Sequence, residues 1–287
     1  MFDRIISLFS NKRWEDYEMN SSKVTVHKEY KRKVDKDNIP TCNILGVDIA
    51  AINMEWLLKY LKANVKSESE NRLAGDYICV SNVHTTVTSY EDENYCKIQN
   101  SGLMAIPDGG PLSTIGRKRG HKNMDRTTGP SLMGELFKVS VENEYRHYFY
   151  GSTEETLEKM HMKLKQNYPE IQVVGMYSPP FRSMTIEEDA TIIKLINDTK
   201  PDFVWVGLGA PKQEKWMFEH QGKVNGLMLG VGAGFDYFAG NINRAPKWMQ
   251  KINMEWFYRL LQDPRRLFKR YFHTNNKFIW HTFIRGK

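Results

Sequence analysis

One aspartate, Asp108, stands where it could act as a general base. It directly follows the short apolar run Leu103–Ile106 and Pro107, and Gly109 comes after it. The residue after a strand lies at the edge where open parallel sheets bind their ligands. A carboxylate there can take a proton from a substrate hydroxyl. An Asp-Gly pair is also a common turn sequence, so the interpretation depends on what else reaches this edge.

Two further polar residues end another apolar run. Asn82 and His84 lie at the end of the strand predicted over Tyr77–Val83. Both could present polar groups to the cleft that Asp108 faces. A single histidine is more often structural than catalytic, so His84 is not assigned a role.

Three glycine-containing turns each follow a predicted strand, and they contain Gly151, Gly209 and Gly232. Where a turn opens a helix, free backbone N–H groups and the helix dipole favour a phosphate. Each turn alone fits a tight turn or close packing equally well. Ser152 and Glu155 also predict a capping box at the helix that follows Gly151. Three such turns at one sheet edge predict a nucleotide cleft.

Other chemistries lack their motifs. The sequence contains no G-x-S-x-G elbow, no G-x-x-x-x-G-K-[ST] phosphate loop and no complete G-x-G-x-x-G fingerprint. Asp35 and Asp37 form an Asp-x-Asp pair, but this pair follows no predicted strand. The three cysteines, Cys42, Cys79 and Cys96, form no C-x-x-C pair, which is typical of a reducing compartment. We therefore expect no metal site and no cofactor.

Strand-sized apolar runs alternate with stretches of helical spacing along the chain, a pattern that predicts an α/β, Rossmann-like fold with a mainly parallel sheet covered by helices. The predicted helices are Met54–Asn64, Glu154–Asn167 and Ile186–Thr199. The predicted strands are Cys42–Asp48, Tyr77–Val83, Leu103–Ile106, Tyr145–Tyr150, Ile171–Tyr177, Phe203–Leu208 and Leu227–Val231.

Charge and composition divide the 287 residues into three parts: a polar extension over 1–40, the core over 41–243 and a basic, aromatic, helical appendage over 244–287. The appendage has 11 basic and 2 acidic residues, a net charge of +9. Since the whole chain carries +7, the other 243 residues carry −2. The basic character therefore belongs to the appendage alone.

A basic segment rich in tryptophan and tyrosine suggests a polyanionic partner: a membrane surface, nucleic acid or a diphosphate. Such a segment could also be a solvated helical face. Aromatic residues prefer a membrane interface, and no nucleic-acid-binding motif accompanies the charge, so we expect peripheral membrane docking and no nucleic acid. The first residues, which include Asp3 and Arg4, do not resemble a secretory signal. We expect a cytoplasmic protein on the inner face of the membrane.

Several ordered sequence blocks resemble one family. From Cys42 to about Tyr271 the chain resembles the WecG/TagA/CpsF family of bacterial glycosyltransferases. The blocks are ILGVDI, SNVHT, PDG, DRTTGP, VGLGAPKQEKW, GVGAGFDYFAG, RAPKWMQ and MEWFYRLLQDPRRLFKRYF. One departure is Val80, where many members have threonine two positions before the strand-end asparagine.

The resemblance implies roles for particular residues. Asp108 would be the catalytic base, Asn82 would line a sugar pocket, and Arg126 and Gln213 would contact the substrate. Family members invert the anomeric centre without a metal, and their appendage docks on the membrane and brings arginines over the active site. The candidates for diphosphate contact and lipid docking are Arg259, Arg265, Arg266 and Arg270.

The expected function is thus the transfer of a sugar from a UDP-sugar to an undecaprenyl-diphosphate-linked acceptor, in cell-surface polysaccharide or teichoic acid linkage-unit synthesis. The family's best-known donor sugar is N-acetylmannosamine. The alternative is a non-catalytic module that binds a nucleotide, or nucleic acid through its basic appendage. An NAD-type oxidoreductase is disfavoured by the missing fingerprint. A homo-oligomer is plausible because the appendage leaves apolar surface exposed.

Overall fold

The computed structural model describes residues 30–66 and 70–284, with an eight-stranded main sheet and a two-stranded ribbon. The ribbon consists of β3 (Val65–Lys66) and β4 (Glu70–Asn71). The strands of the main sheet are β1 (Thr41–Ile44), β2 (Val47–Ala50), β5 (Tyr77–Ser81), β6 (Met104–Pro107), β7 (Arg146–Gly151), β8 (Gln172–Tyr177), β9 (Phe203–Gly207) and β10 (Leu227–Gly230).

The main sheet has the order β1-β2-β6-β5-β10-β9-β7-β8. Only β1 and β2 pair antiparallel in it, and all other neighbouring strands are parallel. The helices are α1 (Met54–Asn64), α2 (Val83–Glu91), α3 (Glu93–Ser101), α4 (Gly110–Lys118), α5 (Gly129–Asn143), α6 (Glu154–Asn167), α7 (Ile186–Asp198), α8 (Lys212–Glu219), α9 (Gly234–Ala239), α10 (Lys247–Lys251), α11 (Glu255–Gln262) and α12 (Pro264–Ile279). The predicted α/β fold class and its helical C-terminal segment are confirmed.

Helices cover both faces of the main sheet, so both of its faces carry apolar side chains. Along β9, Phe203 and Trp205 pack into one core cluster, whereas Val204 and Val206 pack into the other. All four are fully buried. Parallel strands that are buried on both sides read as continuous apolar runs rather than alternating ones, which is why this strand could be predicted from its sequence.

The prediction of one strand over Cys42–Asp48 was wrong. The run contains two antiparallel strands, β1 and β2, which are joined by a tight turn at Leu45 and Gly46. Both turn residues have positive φ angles, 52° and 91°. A two-residue turn whose twist matches that of the flanking strands requires positive φ at both positions. The apolar character continues through the turn, so the sequence hides the reversal.

The predicted capping box of Ser152 and Glu155 was also wrong. Thr153 is the N-cap of α6, and its hydroxyl accepts a hydrogen bond from the Thr156 N–H at 3.2 Å. Ser152 lies outside the helix with a φ of 62°. The cap is displaced because the chain turns at Gly151, where an added Cβ would lie 2.6 Å from the carbonyl carbon of Gly207.

Residues 30–40, the described part of the predicted extension, lie against the core. Arg32 forms an ion pair with Asp76, a fully buried residue that precedes β5. Asp76 also accepts hydrogen bonds from the Tyr77 N–H at 2.9 Å and from the Gln221 amide at 3.0 Å. The segment before β1 therefore neutralises a buried carboxylate. Within the described ranges, no helix has both the length and the apolar character needed to cross a membrane.

We predict that Arg32→Met lowers the free energy of unfolding by about 3 kcal/mol, because it leaves the Asp76 carboxylate buried without its cation. Urea denaturation followed by circular dichroism measures the change. Lys31→Met is the matched control, since Lys31 is exposed and adjacent. Equal stabilities of the two variants would contradict the structural role given to the ion pair.

Candidate active site

Asn82 and Asp108 leave the sheet side by side. Their strands, β5 and β6, are parallel neighbours that place Ser81 opposite Pro107, and the Asp108 N–H donates to the Ser81 carbonyl at 2.7 Å. β5 ends at Ser81, one residue before Asn82, and not at Val83 as predicted. The predicted meeting of these two polar side chains at one sheet edge therefore occurs in the structure.

The Asn82 side chain has a fixed orientation because it caps α2. Its Oδ1 accepts hydrogen bonds from the N–H groups of His84 at 3.0 Å and Thr85 at 3.2 Å, and Thr85 completes a capping box. With the carbonyl end of the amide occupied, the NH₂ end is the donor that bonds to the Asp108 carboxylate. Helix capping thus aims a hydrogen-bond donor at the predicted base.

Asp108 has the electrostatic surroundings of a base that works near neutral pH. Burial raises its pKa to about 6, and the nearby Glu255 carboxylate adds to the increase. Arg126, Arg259 and the hydrogen bond from Asn82 act in the opposite direction. Part of Asp108 remains accessible. A carboxylate with a pKa close to the working pH accepts a proton more readily than an ordinary aspartate.

Backbone hydrogen bonds place Arg126 beside Asp108. The Thr127 N–H donates to the Pro107 carbonyl at 2.7 Å, so the loop that contains Arg126 is attached to the end of β6. The guanidinium group forms an ion pair with Glu255 of α11. Its Nε is buried and has no hydrogen-bond partner among the described residues. The core thus contributes a cation that still has an unused donor.

Glu255 joins the core to the appendage, and sequence analysis missed it. Its carboxylate pairs with Arg126 of the core and lies 3.5 Å from Nε of Arg244 at the start of the appendage. Arg244 also donates to the Ser131 hydroxyl and to the Gln250 amide oxygen, both at 3.3 Å. The sequence did contain a signal that could have identified Glu255: it is one of only two acidic residues in an otherwise basic segment.

The four predicted appendage arginines do not meet at one place. Arg259, one turn after Glu255 on α11, is close enough to Asp108 to lower its pKa, and it stacks on the Tyr237 ring at 5.7 Å. Arg265 is exposed on α12. The side chain of Arg266 lies outside the described part of the structure. Of the predicted appendage arginines whose side chains are described, Arg259 is the one whose effect on the pKa places it beside Asp108.

Arg270 lies at a different place, where α12 packs on α2. It is close to His84, whose pKa falls to about 4 because of burial and the nearby arginine. Further along the same helices, Glu91 forms an ion pair with Lys277, and its carboxylate lies 3.4 Å from Nε2 of His273. These contacts attach α12 to the core beside Asn82 rather than beside Asp108.

Gln213 connects two of the glycine turns. Its Oε1 accepts from the Gly209 N–H at 3.2 Å, and its Nε2 donates to the Gly230 carbonyl at 3.1 Å and to Glu214 at 2.8 Å. The side chain is only 3% exposed. These bonds give Gln213 a role in shaping the turns, and its direct contact with substrate stays a prediction.

The glycines themselves adopt conformations that favour glycine. Gly151, Gly209 and Gly232 have φ values of 122°, 77° and 52°. Their turns follow β7, β9 and β10, so all three lie at the same sheet edge as Asp108. Their contribution to ligand binding stays a prediction. In the described part of the chain, no group of three or more histidine, cysteine, aspartate or glutamate side chains is placed to hold a metal.

A partly buried carboxylate beside arginines, at the carboxyl edge of a parallel sheet, has the chemistry to support group transfer with an anionic substrate. Residues 42–287 match the sequence model of the glycosyl transferase WecG/TagA/CpsF family. The chain belongs to this family, and it is a glycosyltransferase. The predicted resemblance is thereby confirmed.

Proteins from two strains of Staphylococcus aureus, MW2 and NCTC 8325 / PS 47, are each 30% identical to this chain over 234 residues. The alignment covers 81% of this chain and 89% of each relative. Both relatives are named N-acetylglucosaminyldiphosphoundecaprenol N-acetyl-beta-D-mannosaminyltransferase.

We predict that Glu255→Gln moves the acidic limb of the pH–rate profile of sugar transfer to lower pH. A catalytic base must be unprotonated, so if Asp108 has the predicted role, the rate falls as the pH drops through its pKa, which is about 6. Removing the neighbouring negative charge lowers that pKa. Initial rates measured from pH 4.5 to about 8.5 report the position of the limb.

Glu142→Gln is the control for this experiment, because Glu142 is an exposed carboxylate on α5. It should leave the acidic limb where it is in the wild-type enzyme. If Glu255→Gln lowered the rate at every pH by the same factor, Glu255 would have only a structural role.

Proposed function

We propose that this protein transfers N-acetylmannosamine from a UDP-sugar to N-acetylglucosamine on undecaprenyl diphosphate, with inversion and without a metal. The product would enter cell-surface polysaccharide or teichoic acid linkage-unit synthesis. The names of the 30% identical relatives support this donor sugar and acceptor. The observation that carries the proposal is Asp108, held by Asn82 with its pKa raised to about 6.

Asp108 supplies the proton transfer in this scheme. As the acceptor hydroxyl oxygen bonds to the anomeric carbon, its proton passes to the Asp108 carboxylate. The bond between the anomeric carbon and the diphosphate oxygen breaks, and its electron pair leaves with the nucleoside diphosphate. Attack from the face opposite the leaving group inverts the configuration. A positioned carboxylate of this kind contributes roughly 10²–10⁴ in rate.

Arginines account for the charge that develops on the leaving group. Arg126 approaches Asp108 from the core and Arg259 from the appendage, and the buried Nε atoms of both have no hydrogen-bond partner among the described residues. Charge-assisted bonds from arginine to phosphate are strong and directional, and preorganised donors stabilise charge that appears in the transition state. The active site is therefore completed by the appendage, which contributes Arg259.

The exposed surface of the appendage supports a location at the membrane. Phe268 and Phe272 are one turn apart on α12, stacked at 6.1 Å, and 61% and 65% exposed. Basic residues surround them in the sequence. Apolar side chains that enter the headgroup region, together with lysines and arginines near anionic lipid, bind a helix to a membrane surface. We propose that the appendage docks on the cytoplasmic leaflet, where the lipid-linked acceptor is available.

We predict that Asp108→Asn lowers the rate of sugar transfer by about 10²–10⁴, because an amide cannot accept the proton. UDP binding, measured by calorimetry, should stay within about twofold of wild type. A non-catalytic binding module would bind UDP but show no turnover in the wild-type protein. An unchanged rate in Asp108→Asn would contradict the assignment of the base.

A second prediction concerns the membrane surface. The double variant Phe268→Ser/Phe272→Ser should bind vesicles of anionic phospholipid at least about tenfold more weakly than wild type, because two large apolar side chains no longer enter the bilayer. Co-sedimentation measures the binding.

Met162→Ser is the control for this variant, since Met162 is 63% exposed but lies on α6 of the core. It should bind the same vesicles as wild type does. If the double variant also bound them with unchanged affinity, another surface would carry the attachment.

A further inference from the structure

A polar pocket of about 500 Å³ lies between the core and the appendage. It is separate from the glycine turns at the sheet edge. The core side is formed by Ser113 and Arg117 of α4 and by Asp125 and Arg126. The appendage side is formed by Lys247, Gln250 and Asn253. The pocket exists only while the appendage lies on α4, and Asn253 packs against Gly110, at the start of that helix.

The charges that line the pocket favour an anion. Three cations, Arg117, Arg126 and Lys247, face it together with one carboxylate, Asp125. Arg117 is held in place by hydrogen bonds to the Met124 carbonyl at 3.0 Å and to Asp125 at 3.4 Å. Lys247 is exposed and forms no ion pair within the described ranges. A ligand with two or more negative charges could therefore contact a fixed guanidinium group and an exposed ammonium group.

The position of the pocket relates it to the base. Asp108 lies two residues before α4, and Ser113 and Arg117 follow on that helix. At about 1.5 Å per residue, these two side chains are attached roughly 5 Å and 11 Å beyond Gly110 along the helix axis. One sugar ring followed by a diphosphate covers such a span. This spacing is compatible with a ligand whose sugar hydroxyl lies at Asp108 and whose diphosphate lies at the pocket.

The outer side of the pocket adjoins an apolar surface. Trp248 lies in α10, directly after Lys247, and Ile252 follows the end of this helix. Their side chains are 63% and 59% exposed. A ligand held by the cations of the pocket would thus have a hydrophobic surface beside its far end. This order, from carboxylate to cations to apolar surface, matches a sugar, a diphosphate and a lipid chain.

We propose that the pocket between α4 and α10 binds the diphosphate of the lipid-linked acceptor, with Arg117 and Lys247 as its ligands. The inference rests on the proposed function and assigns to the acceptor a site distinct from the glycine turns predicted to bind the nucleotide. Arg126 borders both the pocket and the base, so it links the acceptor diphosphate to the reaction centre.

The test compares Lys247→Glu and Lys247→Met with wild type and with Lys223→Met, an exposed lysine outside the pocket. Lys247 is itself exposed, so its replacement should not affect folding. Lys247→Glu should raise KM for the lipid-diphosphate acceptor at least tenfold and Lys247→Met about threefold. KM for the UDP-sugar should stay within twofold, and Lys223→Met should behave as wild type. An increase in KM for the UDP-sugar instead, or no change in either, would overturn the proposal.

A binding experiment separates this inference from the proposed function. Farnesyl diphosphate, a short lipid diphosphate, should bind to wild type in calorimetry and bind at least tenfold more weakly to Lys247→Glu. UDP should bind equally to both proteins. If wild type transferred no sugar to any lipid diphosphate but this difference persisted, the proposed reaction would fail while the pocket assignment stood. Equal affinity of both proteins for farnesyl diphosphate would refute the pocket.

Discussion

The site depends on one ion-pair bridge, in which the Glu255 carboxylate lies between Arg126 of the core and Arg244 of the appendage. The bridge is largely shielded from water, since the Glu255 side chain is 14% exposed. Removing one partner of such a shielded pair leaves a costly uncompensated charge. The bridge therefore favours the arrangement in which α11 lies over Asp108, and in that arrangement Arg259 reaches the base.

The same bridge sets the electrostatic balance at Asp108. A base surrounded only by arginines would have a low pKa and accept protons poorly, whereas a buried base without cations could not balance a diphosphate leaving group. Here burial and Glu255 raise the pKa of Asp108, and Arg126 and Arg259 limit the increase. For the proposed reaction, this balance keeps cations that suit a diphosphate beside a carboxylate whose raised pKa suits a base near neutral pH.

Patterns that depend on neighbouring residues were predicted well. The helices α1 and α6 have the predicted bounds, because helical spacing and flanking polar residues are local signals. The hairpin at Leu45 and Gly46 was missed because its apolar pattern continues through the turn. The cap of α6 was misplaced because the contact of Gly151 with Gly207 arises between strands that are distant in the sequence. The first error comes from an ambiguous local pattern, and the second from a contact that a local window does not contain.

The sequence by itself determined the parallel α/β fold, the placement of Asp108 and Asn82 at strand ends, and the basic aromatic character of the last segment. Each follows from residue types read over a few positions. Only the tertiary structure decided that Arg259 rather than Arg265 lies beside Asp108, that Glu255 joins core and appendage, and that a cationic pocket forms between α4 and α10. The physical reason is that charges act through space: residues more than a hundred positions apart in the chain share one electrostatic environment once helices from both segments pack together.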